Sequence, residues 1–115
     1  MDIETFRDYC LSLKGTSEGF PFGEDTLVFY VSAKMFALTD ITIFASVNLK
    51  CDPEEAIDLR ERYSAVKPGY HMNKQHWNTI DIDGSIPDII VKNMISNSYQ
   101  LVVQNLPKKE RDRLI

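Results

Sequence analysis

The sequence predicts an α+β fold, a two-layer sandwich in which an antiparallel sheet is packed with helices, in the order α-β-β-β-α-β-β-α-α. Three observations predict it. Runs rich in β-branched and aromatic residues, Thr26 to Val31 and Ile43 to Val47, bracket a shorter run from Met35 to Leu38. The gaps between them are so short that only hairpin turns fit, and hairpins pair strands antiparallel. Helical apolar spacing and helix-start signals flank this block on both sides.

Each element follows from its residues. Ile3, Phe6, Cys10 and Leu13 recur at spacings of three and four, one face of a helix that Asp2 caps and Gly15 ends. Thr16 to Gly23 reads as a loop pinned by Phe20 and Phe22, with a ligand site as the alternative. Ser32-Ala33-Lys34 and Thr39-Asp40-Ile41-Thr42 are the hairpin turns. Asp52-Pro53-Glu54-Glu55 starts the second helix with a capping acid, a proline in the first turn and acids suited to the helix dipole. Ala56, Leu59 and Tyr63 form its buried stripe, while Glu54, Glu55, Asp58 and Glu61 suit a solvent face. Val66 opens a short strand before Pro68-Gly69, and Trp77 to Ile82 is another, ended by Asp83-Gly84. Ser85 is expected to cap a long amphipathic helix carrying Ile86, Ile90, Met94, Tyr99 and Val102. Pro107 breaks it and leaves a charged tail.

Residues 1–115 read as one domain, because a chain this short supports one hydrophobic core and shows no linker or repeat. The hydrophobic fraction of 43% and charged fraction of 26% match globular usage and argue against disorder. No apolar run spans a membrane, and Met1-Asp2-Ile3-Glu4 lacks a signal pattern, so a membrane role is not expected. Cys10 and Cys51 make neither a framework nor a C-x-x-C pair, which suits a reduced, cytoplasmic setting.

Charge is polarised along the chain. The net charge is −4, but residues 1–61 hold 12 acids against 5 bases and residues 62–115 hold 5 acids against 8 bases. The halves therefore carry −7 and +3. An acidic total disfavours non-specific nucleic-acid binding yet permits a local basic patch.

The segment from Lys67 to Asn78 is where chemistry concentrates. It holds Lys67, Tyr70, His71, Asn73, Lys74, His76, Trp77 and Asn78, and it contains no acid. Bases offer charge to phosphate, and aromatic faces offer stacking to nucleobases. The competing reading is structural, with Trp77 in the core and Tyr70 as a loop anchor. Lys108, Lys109, Arg111 and Arg113 form a second basic cluster, read either as phosphate contacts or as a solvated helix end. His71 and His76, five apart, point away from each other on a regular element, so no metal site is expected. Cys51 at a helix start is a candidate nucleophile, opposed by neighbouring Asp52 and by the tendency of free cysteines to be buried. There is no nucleophile elbow, phosphate loop or dinucleotide fingerprint. No catalytic residue and no cofactor is expected.

Several motifs in order resemble one family. Pro21-Phe22-Gly23, Val28-Phe29, Lys34-Met35-Phe36-Ala37 and Asn48 to Glu54 are followed by Pro68 to Lys74 with His76-Trp77-Asn78-Thr79, then Asp83-Gly84-Ser85 with Pro87, then Ser98-Tyr99 and Leu101-Val102. Together they resemble the MmcQ/YjbR family of small bacterial proteins. The resemblance implies a compact α+β fold similar to type III secretion chaperones and to frataxin-like CyaY proteins. It also implies non-enzymatic DNA binding through a double-wing arrangement, with residues 67–78 as a wing. A protein-binding adaptor and a small-molecule site at the same loop are the alternatives. DNA or a protein is the expected partner, and a monomer is the expected state.

Overall fold

Six strands join into one antiparallel sheet in the computed structural model, which describes residues 1–114. The elements are α1 (Ile3–Ser12), β1 (Thr16–Gly19), β2 (Thr26–Val31), β3 (Lys34–Asp40), β4 (Ser46–Lys50), α2 (Pro53–Arg62), β5 (Val66–Pro68), β6 (Trp77–Asp81), α3 (Asp88–Gln104) and α4 (Lys108–Asp112). The sheet order is β1-β2-β3-β4-β6-β5. The α+β architecture is as the sequence predicts, with three local corrections.

First, Thr16 to Gly19 is an edge strand rather than loop, paired with β2 from Thr16↔Val31 to Gly19↔Val28. Polar residues with one glycine give little strand signal, so pairing to β2 decides the conformation. Second, β4 begins at Ser46, not Ile43. Asp40 Oδ1 accepts the Thr42 and Ile43 amides at 2.8 and 3.3 Å, and Phe44 sits at φ 45°, so a wound turn consumes the β-branched residues. Third, Ser85 does not cap α3. Its hydroxyl and amide both bond Asp83 Oδ1, and Pro87 takes the cap position. The Asp2 and Asp52 caps form as expected, Asp2 accepting from Thr5 and Asp52 from Glu54 and Glu55.

One sheet face is covered by α1 and α3. Phe6 and Cys10 of α1 and Val91, Ile95, Tyr99 and Val102 of α3 pack on Leu27, Phe29, Phe36, Val47, Leu49 and Ile80. Edge-to-face contacts at 5.6 Å join Phe6 to Phe29 and Phe36 to Tyr99. Burying each such side chain stabilises the fold by roughly 1.5–3 kcal/mol.

A buried hydroxyl repairs the sheet where it opens. The register of β2 against β3 shifts between Phe29 and Tyr30, and Ala37↔Leu49 is the β3–β4 pair nearest that end. Ser98 on α3 donates to the Phe36 carbonyl at 2.5 Å and accepts the Lys50 amide at 2.9 Å. It thereby replaces a missing rung. Ser98→Ala orphans both groups and is expected to cost about 2–3 kcal/mol, read as a lower urea midpoint at unchanged m-value.

Arg7 of α1 holds Glu18 of β1 in a two-pronged pair at 2.8 and 2.6 Å. The Arg7 hydrogen bonds hold the Glu18 carboxyl below its ordinary value of 4.5. A depressed carboxylate contributes stability above its unfolded-state value and loses it as pH falls through the folded value. Urea midpoints are therefore expected to decline below about pH 4.5, and Glu18→Gln should make that decline shallower.

Candidate functional site

Cross-strand register lays out the other sheet face. Val28, Leu38, Asn48, Thr79 and Lys67 follow one another across β2, β3, β4, β6 and β5 and so share that face. No helix of the main core covers it. A small cluster of Val28, Leu38 and Trp77, joined by Tyr30, Met35 and Met72, is its only packed part among the described residues.

Met72 belongs to the segment linking β5 to β6, which folds back over this face. Gly69 starts it where there is no room for a side chain. A Cβ there would stand 2.8 Å from that of Trp77 and 2.9 Å from the Trp77 carbonyl oxygen. The Gly69 amide donates to that carbonyl at 2.9 Å, and the Gly69 carbonyl accepts from the Met72 amide and from Lys74 Nζ, each at 3.2 Å. Asn73 closes the far end, accepting from the Gln75 amide through Oδ1 and from the His76 amide through its carbonyl.

Arg60 of α2 locks this loop from beneath. Its Nε donates to Asn78 Oδ1 at 2.7 Å, and its Nη2 reaches the carbonyls of Lys74 and Trp77. Asn78 is 2% exposed and its Nδ2 donates to the Ala56 carbonyl at 3.5 Å. Asn78 is thus a structural partner of Arg60. The sequence contained no local motif marking Arg60; the available signal was an amide on an otherwise apolar strand, which needs a buried partner.

The loop divides the surface into two hollows. On the sheet side lies a groove of about 470 Å³, lined by Phe22, Thr26, Leu38, Asp40, Asn48 and Tyr70 among others. Phe22 and Tyr70 are 63% and 70% exposed. The Tyr70 and His71 rings are in contact, with centroids 4.0 Å apart and planes tilted by 54°, and His71 holds a left-handed backbone at φ 59°. The Tyr70 amide donates to Thr79 Oγ1, which donates to Asn48 Oδ1 at 2.5 Å. That relay fixes the Asn48 amide with its nitrogen free for the groove.

On the other side, two adjoining hollows share Lys50, Trp77 and Asn105. One, of about 420 Å³, adds Asn73 and His76; the other, of about 400 Å³, adds Lys34. Neither Lys34 nor Lys50 has an acidic partner within 4 Å among the described residues. Asp52 is the acid lining this side. Sequence reading passed over Lys34 and Lys50, although both stand in family-like motifs, because one sits in a turn and the other ends a strand.

The structure sorts the sequence candidates. Tyr70, His71, Asn73, Lys74 and His76 are exposed on the loop, while Trp77 is 8% exposed and packs on the sheet. Lys67 is bound to Asp81 at 2.6 Å and lines none of these hollows. Lys108, Lys109, Arg111 and Arg113 lie on or beside α4, outside both hollows, with Lys108 paired to Asp112 at 3.4 Å. The Cys51 thiol is buried, and burial, then Glu55 and Asp52, push it up to about 11, which removes it as a nucleophile at neutral pH.

The fold and site together define a class: a small α+β module whose sheet is clothed by helices on one face and capped by a wound, aromatic-bearing loop on the other. The YjbR family model matches residues 11–101. The Escherichia coli K12 protein named uncharacterized protein YjbR is 33% identical over 116 residues, covering 100% of this chain and 98% of its own. Escherichia coli O157:H7 YbdF is 33% identical over 112 residues, covering 96% and 92%. A crystal structure from Deinococcus radiodurans with a DUF419 domain superposes with a TM-score of 0.92 at 38% identity, covering 98% of this chain and 87% of that one. The chain belongs to the YjbR family.

Arg60→Ala leaves Asn78 Oδ1 and the Lys74 carbonyl without their donor, while the Trp77 carbonyl keeps the Gly69 amide. It is expected to destabilise the protein by about 2–4 kcal/mol and to raise amide exchange from residue 70 to residue 76 above that of the sheet. Arg60→Lys should recover only part, because an ammonium lacks the planar fork.

Proposed function

We propose that this protein is a non-enzymatic DNA-binding module that takes hold of exposed bases, using residues 69–76 as a wing between two strand-floored hollows. The observation that carries the reading is the pair of touching Tyr70 and His71 rings, held outward on a loop whose base is fixed by Arg60, Gly69 and Thr79. Flat side chains ordered in advance stack on bases without a further ordering cost. Lys34 and Lys50 supply positive charge on the loop's other flank, and Lys74 stands exposed on the loop itself, where a strand's phosphates would run.

The same geometry favours single strands over duplex. Asp40 lines the groove and Asp81 neutralises Lys67, so the sheet face offers little to a double-stranded backbone. Both cysteines are free and buried, in keeping with a reducing cytoplasm, where DNA would be met.

Fluorescence anisotropy with a mixed-sequence 16-mer tests this at several salt concentrations. The single strand should bind more tightly than its duplex, with a log–log salt slope of about −2, as three lysines on single-strand phosphates give. Tyr70→Ala should weaken binding at least about fivefold, since one stacked base is worth roughly 1–3 kcal/mol. Lys50→Ala should flatten the slope, whereas Lys67→Ala should leave it as it is. Absence of single-strand binding at low salt would refute the proposal.

A further inference from the structure

One end of the sheet is apolar and open. The strands finish there at the Thr26–Asp40 and Ser46–Asp81 pairs. Phe20 and Phe22 follow β1 at this end, Ile41 and Ile43 turn between β3 and β4, and Ile89 stands at the start of α3, where Asp88 holds the Met1 amine at 3.2 Å. All five are exposed, Phe20 by 49% and Ile43 by 73%, so the two phenylalanines do not pin their loop as the sequence suggests. The other large apolar side chains that stand out among the described residues, Ile57 and Tyr70, lie on α2 and on the β5–β6 loop. Apolar surface gathered in this way marks a contact site rather than ordinary scatter.

The end is shaped before any partner arrives. The Asp25 carbonyl accepts the Ile41 amide and Asp25 Oδ1 accepts the Thr42 hydroxyl, each at 2.9 Å, so the β1–β2 loop is tied to the β3–β4 turn. Asp40 Oδ1 winds that turn from within. Beside it a hollow of about 550 Å³ opens on the α1 side, lined by Ile3, Glu4, Arg7, Phe20, Leu27 and Ile41 among others. Side chains held in place in advance lose little freedom on binding.

Charge decides what fits. Glu4, Glu24, Asp25 and Asp40 are exposed around this end, and none has a cationic partner within 4 Å among the described residues. Arg7, which lines the hollow, and the Met1 amine are each already bound to an acid, Glu18 and Asp88. Such a rim repels nucleic acid and anionic lipid. A two-fold pair of this chain through the same end would set the acids against themselves. We propose that this end is a docking surface for a basic amphipathic segment of a partner protein. The segment's apolar side chains enter the hollow between Phe20, Leu27 and Ile41, and its lysines or arginines meet Glu4, Glu24, Asp25 and Asp40. The surface is separate from the DNA-binding reading, since Phe20, Ile41, Glu4 and Glu24 line none of the hollows beside the β5–β6 loop.

The probe is an amphipathic leucine–lysine peptide, titrated into the protein while backbone amide chemical shifts are followed. Two further peptides serve as controls: leucine–glutamate, with the same apolar face and opposite charge, and serine–lysine, with the same charge and no apolar face. Saturable binding is expected, with shifts centred on residues 3–7, 18–27 and 40–43, and both controls should bind at least about tenfold more weakly. Phe20→Ser and Ile41→Ser, both at exposed positions, should each weaken the leucine–lysine peptide several-fold, as should Glu4→Lys combined with Glu24→Lys. The same double reversal on α2, Glu54→Lys with Glu61→Lys, should leave the affinity as it is. Thermal melts confirm that each variant is folded. Equal loss from the α2 reversal, equal binding of the serine–lysine peptide, shifts centred elsewhere or no binding would each overturn the proposal. Sedimentation of the free protein supplies the remaining outcome: a dimer that Phe20→Ser dissolves would assign this end to a second copy instead.

Discussion

The Arg60 guanidinium is the constraint on which the distal surface depends. It reaches from α2 to one side-chain oxygen and two carbonyls, and these three acceptors lie at the end of the β5–β6 connection and in the first two residues of β6. A connection of this length would ordinarily be mobile at the surface. Here the Lys74 carbonyl is tied to the head of β6 by a planar donor that cannot be deprotonated, while Gly69 and Thr79 fix the loop's opposite edge. Order in the loop in turn orders the hollows. Met72 seals the Trp77 cluster, Tyr70 faces the groove, and the Asn73–His76 stretch faces the cationic side. The helix that supplies Arg60 thus orders a loop that it touches only through this side chain's reach, while its first residue, Pro53, lines the cationic side.

Ser98 performs a related service from the covered face. The bulge in the β2–β3 ladder lets the sheet spread near Lys50, and a lone hydroxyl bridges the gap. Ser98 is one of three buried polar side chains on the covered face, with Thr39 and Asn78, and each of them is hydrogen-bonded.

Much of the scaffold was legible because it is local. The spacing of Phe6 and Cys10, the Asp52-Pro53 start and the Thr26 to Val31 run each carry their period or cap in adjacent residues, and each formed. The misreadings share a cause. Thr16 to Gly19 becomes a strand only because β2 offers an edge, and Ile43 leaves the sheet only because Asp40 gathers the turn amides. The candidate site divides the same way. Tyr70 and His71 stood out by composition, whereas the pairing of Lys67 was hidden because its partner, Asp81, lies on the adjacent strand. Asp40, Asn48, Lys34 and Lys50 went unnoticed because pairing across β3, β4 and β6, and packing at the sheet's end, are what bring them to the hollows.

The charge split along the chain takes a different meaning in three dimensions. The +3 of the second half does not gather on the loop, since Lys67 is neutralised and the α4 bases lie elsewhere. Positive charge on the loop's flank comes instead from Lys34 and Lys50, both in the acidic half, while that half also puts Asp40 in the groove. A surface with few free cations and a carboxylate among aromatics gains little from counterion release. The single-strand binding proposed here then rests on flat contacts and directed hydrogen bonds, which weaken less with salt. An acidic total is then compatible with a nucleic-acid partner, provided that the partner offers bases rather than a backbone.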